Sequence, residues 1–207
     1  MRGRSTGPWV HMTAFELLTL RTELAQRSRW NIGYFYSGFT FWVYVAVVGS
    51  ILPLSNARLY WLVGTFFIFP VALAFSRALR ADPFCKGNSL GDLVGYSHMS
   101  VIAFTLPLVI LACIYFPEAM LLVMAICYCV DFYVMTWAFG SPLFALHAAI
   151  RTLLVSVVWF ALPEWRVLAI PLIVAAAYLV TAVLIPPLNR RFLKDRPGHG
   201  VPPSSPA

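Results

Sequence analysis

The stretch CVDFYVMTWAFGSPLFALHAAIR, Cys129 to Arg151, is apolar almost throughout, yet it holds Asp131 near its start and Arg151 at its end. With His147 four residues before the arginine, and His98 upstream, these are the side chains best suited to chemistry. If Ser141 marks a hinge between two antiparallel helices, Asp131 lies ten residues before it and Arg151 ten after it. At 1.5 Å per residue both would lie about 15 Å deep, close to the midplane of a hydrocarbon layer about 30 Å thick. An unpaired charge there costs at least about 2.5–3.5 kcal/mol on insertion scales. The spacing therefore predicts an Asp131–Arg151 ion pair between neighbouring helices, with His147 on the same face as Arg151. Two readings stay open. Asp131, Arg151, His147 and His98 line a hydrated pathway or substrate pocket, or the two ions form a structural clamp and the histidines are satisfied interior donors.

Other chemistry finds little support. No His-Glu-x-x-His zinc motif, Gly-x-Ser-x-Gly elbow or phosphate loop is present. Cys127 and Cys129 are two apart, which turns them about 200° from each other on a helix, so they do not chelate one ion. They read with Cys113 as small buried hydrophobes, while Cys85 sits in a polar loop. No metal, cofactor or enzymatic activity is expected, and the substrate is unknown. The polar loop RALRADPFCKGNSLGDL supplies Asp82, Lys86, Asn88 and Asp92. It is either a plain connection or a binding loop for an anionic group, using Lys86 and exposed amides. Asn88 or Ser89 can cap the helix that follows.

The elements that position these groups follow from composition. Of 207 residues, 60% are hydrophobic and only 11% charged, against about 25% charged in soluble domains. The expected class is an all-α polytopic membrane protein: a six-helix transmembrane bundle embedded in the lipid bilayer. The spans are 33–54, 59–79, 93–116, 119–139, 143–162 and 167–185. Turns at PLSNAR, Pro117, Gly140 and Pro163 separate them, and Pro186 with Pro187 is expected to stop the last one. Gly33, Ser37, Thr40 and Tyr44 form a small or polar stripe facing the bundle, whereas Phe66, Phe67 and Trp137 face lipid. The spans hold no convincing internal repeat.

A net charge of +7 comes without a basic stripe interleaved with aromatics, which excludes nucleic acid as a partner. The cations flank the spans instead. One side holds Arg2, Arg4, Arg21, Arg27, Arg29, Arg77, Arg80, Lys86, Arg190, Arg191, Lys194 and Arg196; the other holds Arg58 and Arg166. That bias places both termini in the cytoplasm of a bacterial inner membrane. No cleavable leader is visible, so the first span itself would insert the chain. The organisation is a cytoplasmic segment over 1–30, a six-span domain over 31–188 and a basic, then disordered, tail over 189–207. In the first segment Thr13 and Glu16 fit a capping box. They open an amphipathic helix with Leu17, Leu20 and Leu24 on one face, lying on the membrane surface or on the bundle's end.

The stretches LRTELAQRSRWNIGYFYSGFTFW and FPVALAFSRALRADPFCKGNSLGDL resemble an uncharacterised bacterial integral-membrane family, a domain of unknown function. The similarity covers about Leu20 to Arg190 and is most specific at Asp82, Pro83, Phe84, Lys86, Asn88, Leu90 and Gly91. In that family's pattern a histidine stands where this chain has Asp131, so the resemblance implies a polar position of unfixed charge and weakens a catalytic role there. It implies an inner-membrane protein and supplies no substrate. The reading that follows is a small-solute or ion permease. The rival is a non-catalytic scaffold working through association, with homo-oligomerisation left open, and an intramembrane enzyme ranks third.

Overall fold

The computed structural model describes residues 13–195; Arg2, Arg4, Arg196 and the proline-rich tail lie outside them. The helices are α1 (Ala14–Ser28), α2 (Ile32–Ile51), α3 (Leu54–Thr65), α4 (Ile68–Ala78), α5 (Ser89–Tyr115), α6 (Met120–Cys127), α7 (Phe132–Phe139), α8 (Leu143–Ala161) and α9 (Arg166–Lys194). Taking α1–α2 and α6–α7 as continuous, five stretches are long and apolar enough to cross a membrane. The pair α3–α4, bent by 49°, is a sixth if the two halves are one span. The chain is thus an all-α polytopic membrane bundle.

Helix α2 is apolar on every side, which suits the centre of a bundle. It packs on α9 and α4, and Phe35, Trp42 and Val45 are wholly buried. Close approach needs its glycines. A Cβ at Gly38 would strike the Tyr178 ring of α9, and one at Gly33 would strike Ser76 and Ala72 of α4. Of the stripe expected on this helix, Gly33 and Ser37 face the bundle, Ser37 Oγ donating to the Ile68 carbonyl at 2.6 Å, and Tyr44 reaches the Tyr60 carbonyl at 2.9 Å, whereas Thr40 is exposed and donates to the Tyr36 carbonyl of its own helix.

Three expected boundaries need correction. The second span bends because Pro70 has no N–H and its ring crowds the Phe66 carbonyl. Around the bend Phe66 and Phe67 donate only three residues back. Its first half also begins earlier than expected, with Leu54 directly after Pro53, so Ser55 to Arg58 are helical. Finally, Pro186 and Pro187 do not end α9, which runs on to Lys194. Proline removes two ladder bonds there, but the turns beyond are anchored from outside the helix. Asn189 Nδ2 donates to the Ala25 carbonyl at 3.1 Å, and Phe192 packs edge-on to Trp30 at 5.7 Å.

Helix α1 opens with the expected capping box, Thr13 and Glu16 bonding each other's backbone reciprocally. These bonds from Thr13 hold the Glu16 carboxyl below its usual range. The helix lies against the bundle's end, with Leu24, Ala25 and Ser28 buried. Contacts of α1 with the 79–88 loop, the α7 C-terminus and the end of α9 gather nine of the basic side chains at this one end. Arg58 and Arg166 lie at the other, each donating to a carbonyl near a helix C-terminus: Cys113 of α5 and Trp159 of α8.

Candidate functional site

The second half of the bundle is organised by a break. After Cys127 the ladder shortens: Cys129, Val130, Phe132 and Tyr133 donate to carbonyls three residues back, at 3.2 to 3.4 Å. The sequence at the break, CVD, is rich in weak helix formers, and Asp131 ends it. The shortened ladder has two consequences. It turns Asp131 toward α5, and it leaves the Ala125 carbonyl without its usual donor, because the Cys129 amide goes to Ile126.

Asp131, 5% exposed, bonds His98 Nδ1 through Oδ2. His98 lies nine residues into α5 and Asp131 nine residues before Gly140. From the same basic end, both are therefore about 13–14 Å deep. The ring of Tyr34 stacks on the imidazole at 4.7 Å. With Nδ1 facing a carboxylate, the neutral ring carries its proton there and turns a lone pair outward at Nε2. Nε2 is buried and has no partner.

The expected Asp131–Arg151 pair is not formed; among the described residues no carboxylate lies within ion-pair distance of Arg151. Arg151 is wholly buried and donates instead from Nη2 to the freed Ala125 carbonyl at 2.7 Å. Its guanidinium rests over Phe132 at 5.6 Å and Tyr178 at 5.3 Å, a stacking that suits its weakly hydrated plane. Nε and Nη1 have no hydrogen-bond partner. His147, one turn away, bonds Thr181 Oγ1 through Nδ1 at 2.7 Å. Since that hydroxyl gives its proton to the Ala177 carbonyl, His147 is the donor. Its ring lies edge-on to Phe132 and Tyr178.

Two clefts share His98 in their walls. The outer one, about 280 Å³, opens near the loop and is walled by Asn31, Phe84, Lys86, Asp92 and Tyr96. The inner one, about 80 Å³, holds Asp131 among Phe35, Trp42, Phe132 and Tyr178. Tyr34, Phe69, His98 and Met99 line both. No serine, threonine or cysteine lines either cleft; the hydroxyls there are the phenols of Tyr34, Tyr96, Tyr128 and Tyr178. The His–Asp couple can hold and pass a proton, or bind a small polar group. No cluster of three metal-ligating side chains occurs among the described residues.

The loop is built as a brace. Asp82 bonds Arg27 at 2.7 Å and accepts from the Phe84 and Cys85 amides at 3.1 Å. Those amides, expected to be free for an anion, are therefore occupied. Burial opposes ionisation of Asp82, but Arg27 and the two amides outweigh it and hold its carboxyl below the usual range. Burial, aided by Asp82, pushes the Cys85 thiol up to about 11. Asn88 caps α5 through the Leu90 and Gly91 amides, and its Nδ2 ties back to Leu20 and Glu23. Lys86 and Asp92 alone of the loop's polar groups remain exposed at the cleft mouth.

Sequence reasoning overlooks Asn31 and Tyr34. The signal for the second is aromatic spacing on α2. For the first there is none, since Asn31 is set by a left-handed turn: Arg29, Trp30 and Asn31 have φ of 50°, 56° and 53°. That conformation is costly for Arg29 and Trp30 and easier for an asparagine. It sends Trp30 into a ring cluster with Phe139, Phe144 and Phe192.

Compared with known proteins, residues 17–186 match the model of a family of unknown function, DUF7010, and the chain belongs to that family. No curated protein and no solved structure matches it.

Proposed function

We propose that this DUF7010 member is a permease-like protein of the bacterial cytoplasmic membrane, passing a small solute or ion by His98 and Asp131, with both termini in the cytoplasm. The observation carrying this reading is a buried histidine–aspartate couple whose histidine lines two clefts, one with a polar mouth at the basic end. Ionisable groups at membrane depth are costly, and pathways are where that cost is accepted. The excess of lysine and arginine at one end supports the orientation. In this reading Arg151 and His147 hold the α6–α7 break, Phe132 and Tyr178 in place. Asp82 and Asn88 brace the mouth.

Flux tests the proposal. Purified protein in liposomes is given an acid jump with a trapped pH dye, and osmotic swelling is followed with small polar solutes. The expected result is flux above that of empty liposomes, lowered about tenfold or more by His98→Gln and by Asp131→Asn. Equal flux in loaded and empty vesicles, or full flux in both variants, would sink it. The scaffold reading draws on one observation, the arginine lodged wholly within the fold, and gains if flux is absent while the protein is stable.

A further inference from the structure

The two clefts also carry information about what they accept. Asn31 is 2% exposed, lines the outer cleft, and its Oδ1 has no hydrogen-bond partner. His98 Nε2, on the wall shared by both clefts, is equally unpartnered and, when the ring is neutral with its proton on Nδ1 toward Asp131, offers a lone pair. Buried polar atoms are almost always satisfied, so Asn31 Oδ1 and the neutral imidazole's Nε2, two unmet acceptors on one wall, call for a donor from outside the protein. Tyr34 and Gly38 lie one turn apart on α2, Asn31 stands in the left-handed turn just before it, and the stack of Tyr34 on His98 ties that face to α5.

The remaining wall sets the sign of charge. Asp92 and Asp131 stand against one ammonium, Lys86 at the mouth. Arg151 lines neither cleft; its guanidinium lies against the Phe132 and Tyr178 rings of the inner one and is absent from the outer one. Most of the other surface is aromatic: Tyr34, Phe69, Phe84 and Tyr96 in the outer cleft alone. Ring faces attract cations and give an anion nothing. Resting on the permease reading above, we infer that the outer cleft binds a small protonated amine. Its N–H groups donate to Asn31 Oδ1 and His98 Nε2, its charge faces the aromatic wall, and Asp131 lies behind the imidazole. A quaternary ammonium has the charge without the donors, and an alcohol has a donor without the charge.

Binding to the purified full chain in detergent tests this, read as the rise in Tm with ligand concentration and by calorimetry. The probes are n-butylammonium, tetramethylammonium, butan-1-ol and butyrate. Saturable binding of n-butylammonium is expected, with the other three about tenfold weaker or more, the loss of one charge-assisted hydrogen bond. Asn31→Leu and Tyr34→Leu weaken it by a similar factor, and Thr40→Ala, in a separate cleft by the α3–α4 bend, leaves it unchanged. Because the probe comparison uses the unaltered protein, it stands even if a variant fails to fold. Equal affinity for butanol or butyrate, or no binding of n-butylammonium, overturns the assignment. Amine binding without flux supports this site and removes the permease reading; flux without amine preference does the reverse.

Discussion

Arg151 is the residue whose surroundings differ most from expectation. Its depth, and that of Asp131, are legible from counting residues to the turn at Gly140. Rotation about the helix axis is not, because the short ladder over 128–131 turns the carboxylate toward α5. Counting from the same end of α5 would have matched His98 with Asp131, since both lie nine residues in. The equal-depth rule works, but only if applied to every neighbouring pair rather than to consecutive helices. A charge-exchange experiment separates the two geometries. Exchanging Asp131→Arg and Arg151→Asp together is expected to be no more stable than the worse single variant, each losing about 3 kcal/mol or more by burying a charge of the wrong sign where the groups around it cannot pair with it. Tm in detergent reads this, and recovery in the double variant would show that the two ions face each other after all.

At the scale of the elements, most helix existence is legible and most helix interruption is not. Long apolar runs announce spans, whereas Pro70 bends a helix and Pro186–Pro187 do not stop one. What decides between these outcomes is whether other elements hold the next turn, as Asn189 and Phe192 do for α9. Close helix contact gives a direct test: Gly38→Val should cost about 1–3 kcal/mol, because the added carbons overlap the buried Tyr178 ring and force it to shift. A chemical-denaturation midpoint unchanged from the parent would contradict the α2–α9 packing. The loop brace predicts a pH effect. The folded Asp82 carboxyl titrates below its unfolded value near 3.8, so its stabilisation is complete above that pH and is lost as pH falls through the lower folded value. Amide exchange at Phe84 and Cys85 should therefore accelerate in acid below about pH 4. Asp82→Asn should show fast exchange already at pH 7, and slow exchange in that variant would remove Asp82 from the brace.

For the whole molecule, the gathering of cations at one end is the most legible property, because it depends on counts near helix ends and not on lateral arrangement. Nine described cations cluster at one end and two at the other, and the contacts of α1 with the loop and with α9 keep that end together. The proposed orientation predicts that reporters fused at either terminus are active only when they function in the cytoplasm. Periplasmic activity at either terminus would reverse or break the topology. Which helices lie side by side is written in glycines and breaks too sparse to read in advance, and the candidate cleft was hidden for that reason.

The carbonyl of Ala125 has two suitors, the amide of Cys129 in a straight rod and the guanidinium of Arg151 in the kinked one, and it accepts the second. Kink and arginine are consequently an interlock. If α6 and α7 were to straighten into one rod, the reclaimed carbonyl would evict a cation with nowhere aqueous to go, and the carboxylate of Asp131 would swing off His98 in the same motion. Any rearrangement of this protein that straightens α6 and α7 must therefore carry both charges together.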